Sequence, residues 1–343
     1  MQIISAERFH QIITAFKNLE PILVIGDVGV DKYTYGEVTR ISPEAPVPVL
    51  EVSKQWFKLG LAANVCENLK ILGANPTICG VIGDDQNGSL LEELLEEKDL
   101  KTWGILRAEE RSTIVKERVM TQTQQICRVD YDSFQGLSSQ SLKKIEVRIQ
   151  EFAKNHGAVI VEDYGKGYLN EKLCQNIFSL FKDQKKKVVV DPSRETPPLW
   201  YKGANLLKPN RQEAQMMVDA LGYRKEKDLK KMGEILLEKL DLEQLIITLG
   251  AEGMALWDKN SAVDMQVIPT LARHVFDVSG AGDTAVSTLT ASLMTGATLG
   301  ESAWVANCAS GVVVGKKGTA TVTPDELKDF YQELISEWNP SRE

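Results

Sequence analysis

The sequence predicts an α/β fold: one large, mainly parallel sheet covered by helices on both faces, with a small β lid beside it. Three observations carry that expectation. Short β-branched runs alternate with helix-period stretches along most of the 343 residues, the signature of successive βα units. Two blocks, at about 32–52 and 102–130, break the alternation with extended polar or proline-bearing sequence. Acidic or hydrogen-bonding residues follow nearly every apolar run, which is where open α/β sheets place ligands.

Taken in order, the N-terminal MQIISAERFHQIITAFKNLE has an amphipathic helical pattern with charges inside it, and PILVIGD at 21–27 reads as a central or near-central parallel strand. The block 32–52 holds Pro43, Pro46 and Pro48, which suit an exposed extended segment or an edge strand. In AANVCENLKILG the apolar Val65, Leu69 and Leu72 fall on a helical period that ends at Gly73, and the strand-like TICGVIG follows with a Leu-rich helix at 88–97. The second block pairs STIVKERVM with QICRVD across a polar TQTQQ. Helices are expected at 139–155, 170–182, 210–221 and 228–240, alternating with AVIVED, KVVVD, GANLLK and QLIITLG. AEGMALWD reads as an antiparallel partner near the sheet edge, HVFDV at 274–278 as a strand running into a helix that ends at Gly296, and 301–314 as an apolar helix. A single domain over 1–343 is expected.

Composition narrows the function classes. Net charge is −8, and the cations are scattered apart from KDQKKK at 182–187, so no nucleic-acid surface is expected. The five cysteines, Cys66, Cys79, Cys127, Cys174 and Cys308, form no close pair and read as buried thiols of a reducing compartment. His10, His156 and His274 have no metal-ligand spacing. No run reaches membrane-spanning length, and a cytoplasmic location is expected.

Two glycines and one carboxylate stand together in DVSGAGDTA at 277–285. At a turn opening a helix, Gly280 and Gly282 remove side chains that would keep an anion away, and the first amides of the helix point at it. Asp283 has two local readings: a helix N-cap, or a base that takes the proton from a hydroxyl attacking a phosphoryl group. The P-loop pattern is absent here. Asp27, Asp31, Asp163, Lys166, Asn210 and Glu213 also follow apolar runs, while Asp191, before Pro192, reads as structural. Asn210 and Glu213 likewise allow two local readings, a capping box or a pair of oxygen donors for a divalent ion.

With these residues in place, the chain resembles the ribokinase-like (PfkB-type) carbohydrate kinases over about residues 20–335. Within that family it is most similar to the kinases of D-glycero-β-D-manno-heptose 7-phosphate, on the segments IGDVGVDKYTYGEVTRISPEAPVPVL, EDYGKG, KPNRQEA and VVGKKGTATVTPDEL. The resemblance implies ATP and Mg²⁺ as cofactors and Asp283 as base, with the Gly280–Ala281–Gly282 turn as anion hole. Asn210 and Glu213 are implied as the Mg²⁺ pair, and Thr248, Gly250, Gly253 and Asn307 as nucleotide contacts. Asp31, Gly60, Asn64 and Asp163 are implied on the sugar side. A distal phosphate needs cations, for which Lys166 and Arg128 stand first, then Arg118 and Arg40. Leu61 stands where the family's second glycine is expected, and a leucine is expected to keep the backbone out of the φ > 0 region. A homodimer through the lid is implied, with adenylyl transfer left to a separate protein. Alternatives of the same fold are another sugar-phosphate or nucleoside kinase, or a catalytically silent sensor.

Overall fold

The structure is a computed structural model and describes residues 4–132 and 136–338. After α1 (Ala6–Ala15), the chain forms β1 (Ile22–Gly26) and runs almost without a break into the long hairpin of β2 (Val28–Ile41) and β3 (Pro48–Leu61). Next come α2 (Ala62–Ile71), β4 (Pro76–Gly83), α3 (Gln86–Glu97) and β5 (Ile105–Ala108), then the hairpin of β6 (Ile114–Met120) and β7 (Gln125–Tyr131). The central part contains α4 (Ser139–Asn155), β8 (Ala158–Glu162), α5 (Glu171–Lys182), β9 (Lys187–Asp191), β10 (Leu206–Leu207), α6 (Arg211–Ala220), α7 (Leu229–Lys239) and β11 (Gln244–Thr248). The chain then adds β12 (Met254–Asp258), β13 (Gln266–Ile268), α8 (Ala281–Met294), α9 (Leu299–Val314) and α10 (Pro324–Trp338).

Among the described residues one sheet has nine strands, ordered β13-β12-β11-β10-β9-β8-β1-β4-β5, and a second has four, ordered β3-β2-β6-β7. In the large sheet β12 pairs antiparallel with both of its neighbours, β11 and β13, at one edge, and the other pairs are parallel. β1 is parallel to both neighbours and every residue in it is buried, which explains its unbroken apolar run. The small sheet begins at Val28 rather than 32, and Ile105–Ala108 of the second block belongs to the large sheet.

Several expectations need correcting. HVFDV forms no strand; Val275, Phe276 and Val278 lie in an exposed loop at 64%, 70% and 68%. Its apolar pattern is indistinguishable from a strand's when read alone. Cys127 is exposed on β7, whereas the other four cysteines are buried. Leu61 does adopt positive φ, 58° with ψ −138°, where β3 turns into α2.

The helix pair α8 and α9 is nearly enclosed, and α8 buries a run of Ser and Thr. Hydroxyls in that run donate back to carbonyls one turn earlier, Thr290 to Val286 at 2.8 Å and Ser292 to Thr288 at 2.8 Å, which satisfies those two buried groups. The Thr288 hydroxyl and that of Ser302 on α9 are instead buried without a hydrogen-bond partner among the described residues. Thr284 of α8 donates to Asn68 of α2 at 2.8 Å. That bond fixes the start of α8 against α2.

Candidate active site

A cavity of 630 Å³ opens where β8, β9 and β11 end, bounded by the first turns of α6 and α8 and by the small sheet. Gly26, Glu162 and Asp191 lie side by side in register, so the parallel strands deliver their terminal residues to one edge.

The N-cap of α8 is Gly280, at φ 80°, and not Asp283. A residue with a Cβ here would suffer the left-handed backbone, and that Cβ would lie 2.8 Å from Thr319 Cγ2. Asp283 sits in the first turn instead. Asn64 Nδ2 donates to its Oδ2 at 2.5 Å and the Tyr164 hydroxyl donates to Oδ1 at 2.9 Å. Burial pushes the Asp283 carboxyl up to about 6, against the two donated bonds that pull it down. The amide of Ala281 is engaged by the Val278 carbonyl at 3.2 Å. The next two amides, of Gly282 and Asp283, have no partner within the helix, as first-turn amides do not.

Lys208, at the end of β10, is 4% exposed and pairs with Asp191 at 2.8 Å. Its ammonium is 3.9 Å from where a Cβ on Gly282 would lie, so the glycine lets cation and helix terminus share one space. Burial alone would lower the Lys208 ammonium, but Asp191 outweighs it and the net direction is upward. Glu162 is 2% exposed, its Oε2 has no hydrogen-bond partner, and burial next to Asp191 and Asp283 pushes its carboxyl well up.

Asn210 caps α6: its side chain accepts from the Glu213 amide at 2.9 Å, and Glu213 Oε2 accepts from the Asn210 amide at 2.8 Å. The capping box is therefore formed, and it engages one carboxylate oxygen of Glu213. Thr248 and Gly250 line the cavity beside them. Gly253, at φ 100°, packs on the Ile268 carbonyl, and Asn307 donates to the Pro269 carbonyl at 2.7 Å; both lie against the segment after β13. Among the described residues no group of three or more His, Cys, Asp or Glu is placed to hold a metal ion.

On the lid side, Asp31 is 6% exposed and pairs with Arg118 at 2.9 Å. A Cβ at Gly60 would lie 3.3 Å from the Asp31 carboxylate, so the glycine makes room for it. Arg128 chelates Asp130, and Lys166 pairs with Asp132 at 2.6 Å. Arg40 is exposed on the far part of β2. Thr319 ties these parts together: its hydroxyl reaches Tyr33 at 2.9 Å and Asp31 at 3.3 Å, and Lys58 donates to its carbonyl at 2.5 Å.

Asp163 stands at the cavity with both oxygens engaged, Oδ1 by the Gly165 amide at 2.7 Å and Oδ2 by Thr196 and Tyr201 at 2.7 and 2.6 Å. Sequence reasoning missed Tyr164, Lys208, Glu162, Lys116 and Thr319, and it set Asp191 aside. Lys208 and Tyr164 stood inside KPNRQEA and EDYGKG, yet only their neighbours received roles.

Residues 22–326 match the model of the pfkB family carbohydrate kinases. The chain is 41% identical over 313 residues to the bifunctional protein HldE of a Nitratiruptor species, covering 91% of this chain and 65% of that protein. It is 39% identical to the protein of the same name from Aliarcobacter butzleri, covering 91% and 64%. The chain thus spans somewhat less than two thirds of the length of these relatives. Phosphofructokinase-2 from Escherichia coli superposes with a TM-score of 0.77 at 18% identity, over 92% of this chain and 99% of that one. A ribokinase from Arabidopsis thaliana, complexed with ribose and ATP, gives 0.70 at 17%, over 91% and 98%. Among the described residues no helix is long and apolar enough to cross a membrane.

Proposed function

Since the chain belongs to the pfkB family of carbohydrate kinases, we propose that it transfers the γ-phosphoryl group of ATP to the anomeric hydroxyl of D-glycero-β-D-manno-heptose 7-phosphate, giving the 1,7-bisphosphate and ADP. The observation that carries the chemistry is the Asp283 carboxylate, held by Asn64 and Tyr164 beside the open first turn of α8. Asp283 takes the proton from the attacking hydroxyl. The amides of Gly282 and Asp283, with Lys208, meet the charge that develops on the transferring phosphoryl group.

Asn210 and Glu213 fit a magnesium ion held through water, because the capping box leaves Glu213 Oε1 for a ligand and a hard ion favours such oxygen donors. When bound, that ion neutralises the nucleotide phosphates. Thr248 and Gly250 border the same space and are assigned to the nucleotide, as are Gly253 and Asn307 behind them.

The choice of a phosphorylated heptose rests on the resemblance of the hairpin and loop segments, and on Lys116, Arg128 and Lys166 lining the same cavity as the base. Asp31, Gly60 and Asn64 are assigned to the sugar side, while Asp163 acts through the loop it braces. A homodimer through the small sheet is supported by the exposed Ile41, Val47 and Val52 at 61%, 51% and 53%. ADP release over a panel of heptose, hexose and pentose phosphates and nucleosides tests the substrate. The heptose 7-phosphate is expected to give the highest kcat/KM; a preference for a fructose phosphate or a nucleoside overturns the heptose and leaves the kinase.

A further inference from the structure

Residues 163–168 form a short loop whose bracing is out of proportion to its size. Asp27, 2% exposed, accepts from the Lys166 amide at 3.0 Å and the Tyr168 amide at 3.2 Å, with Arg111 at 3.6 Å. Asp163, 6% exposed, accepts from Gly165, Thr196 and Tyr201. Gly165 takes φ 67°, and a Cβ there would lie 2.7 Å from Ser193 Oγ. Two buried carboxylates cost free energy unless fully hydrogen-bonded, and here their bonds converge on one loop. That loop sends the Tyr164 hydroxyl to Asp283 Oδ1 at 2.9 Å, with the Lys116 ammonium 5.7 Å from the tyrosine ring centroid.

We infer that Tyr164 is a positioning residue for Asp283, its hydroxyl held on Oδ1 by a loop braced for that purpose. The inference rests on the reading of Asp283 as base. The groups facing that carboxylate are Asn64 on α2, Tyr164 on the loop, Asp191 and Lys208 at strand ends, and Glu162 at the end of β8. Burial, Asp191 and Glu162 disfavour its ionised form; Asn64, Tyr164 and Lys208 favour it. Burial, with Asp283 next, pushes the Tyr164 phenol well above its ordinary range, so it stays a hydroxyl donor throughout the working pH range.

Tyr164→Phe keeps the ring and removes only the donor. The acid limb of its kcat/KM–pH profile, measured with ATP, Mg²⁺ and heptose 7-phosphate, is expected to move up by roughly one pH unit. The rate then falls roughly tenfold on the acid limb and recovers above about pH 8, with KM for ATP unchanged. Placing 3,5-difluorotyrosine at 164, a stronger donor, moves the limb down. A purely structural tyrosine would lower the rate equally at all pH values.

A ¹³C titration of the aspartate carboxyls, assigned with Asp283→Asn, reads the same shift without substrate. If the titration moves while Asp283→Asn keeps its activity, the base reading fails and the positioning contact stands. Unmoved profiles in both Tyr164 variants, with an unmoved Asp283 resonance, overturn the inference.

Discussion

The floor and the wall of the cavity handle charge in opposite ways. The floor gathers Glu162, Asp191 and Asp283 at strand and helix ends around a single lysine, Lys208, and burial pushes all three carboxyls up. The wall, built by the small sheet and the adjoining loop, carries cations that mostly arrive with their own carboxylates: Arg118 with Asp31, Arg128 with Asp130, Lys166 with Asp132. Lys116 differs, because it makes no ion pair among the described residues, and burial, with Arg128 next, lowers its ammonium. The floor is thus poised to exchange a proton. Under the proposed function the wall exchanges one anion for another, and Lys116 is the cation that would gain most from the phosphate of the sugar.

The strongest way to break this division is Asp283→Asn. Turnover is expected to fall by about 10²–10⁴ while ATP binding, followed by calorimetry, is kept. Stability should move the other way. The folded carboxyl titrates at about 6, above its unfolded value near 3.9, so the native state holds the proton longer than the unfolded chain. The stabilisation from this group is complete below about pH 4 and is lost as pH rises to about 6. Thermal melts from pH 4 to 7 should therefore decline less steeply in the variant; an unchanged slope places Asp283 outside the strained floor.

The wall is tested by Lys116→Ala. We expect kcat/KM for the phosphorylated sugar to fall about 10-fold to 100-fold, as for a buried charge contact, with little change for the same sugar lacking its phosphate. Equal losses on both sugars would assign Lys116 to the floor, acting through Tyr164.

How much of this was legible depended on whether a residue's role is local. The Gly280–Asp283 turn could be read because backbone conformation, open amides and carboxylate sit within one helical turn. The pairing of β6 with β7 and the antiparallel edge were legible from pattern and turn chemistry. Tyr164 was not, since its partner lies 119 positions away and nothing near EDYGKG says which side chain reaches it. The bonds of Asp163 were not legible, because a carboxylate at a strand end looks the same whether it grips a sugar or, as both oxygens of Asp163 do, accepts from backbone and side-chain donors. HVFDV failed for the opposite reason, as its local pattern fits a strand that the sheet has no place for.

A smaller effect is expected for Glu213→Gln. Glutamine can still complete a capping box, so the melting temperature should hold, while the magnesium concentration for half-maximal rate should rise several-fold on loss of a hard anionic donor. A loss of stability without a magnesium shift would leave Asn210 and Glu213 as a cap alone.

The smallest effect concerns the joint between wall and floor. Leu61 ends β3 at φ 58°, ψ −138°, and the next amide, of Ala62, donates to the Asp27 carbonyl at 3.1 Å, closing the base of the hairpin. A leucine in that conformation stores roughly 1–3 kcal/mol, yet its side chain is 5% exposed and packs near Gly29. Removing a buried leucine side chain ordinarily costs about 2–5 kcal/mol. Leu61→Ala should show that cost in full, because alanine keeps the Cβ that objects to positive φ. Leu61→Gly releases the strain while losing the same packing, so it should be no less stable than Leu61→Ala, although glycine elsewhere is the worse residue by roughly 0.5–1 kcal/mol. Chemical denaturation of the two variants decides it. If glycine proves the less stable by that ordinary margin, the hinge does not hold its leucine at positive φ, and the lid joins the floor by a different path.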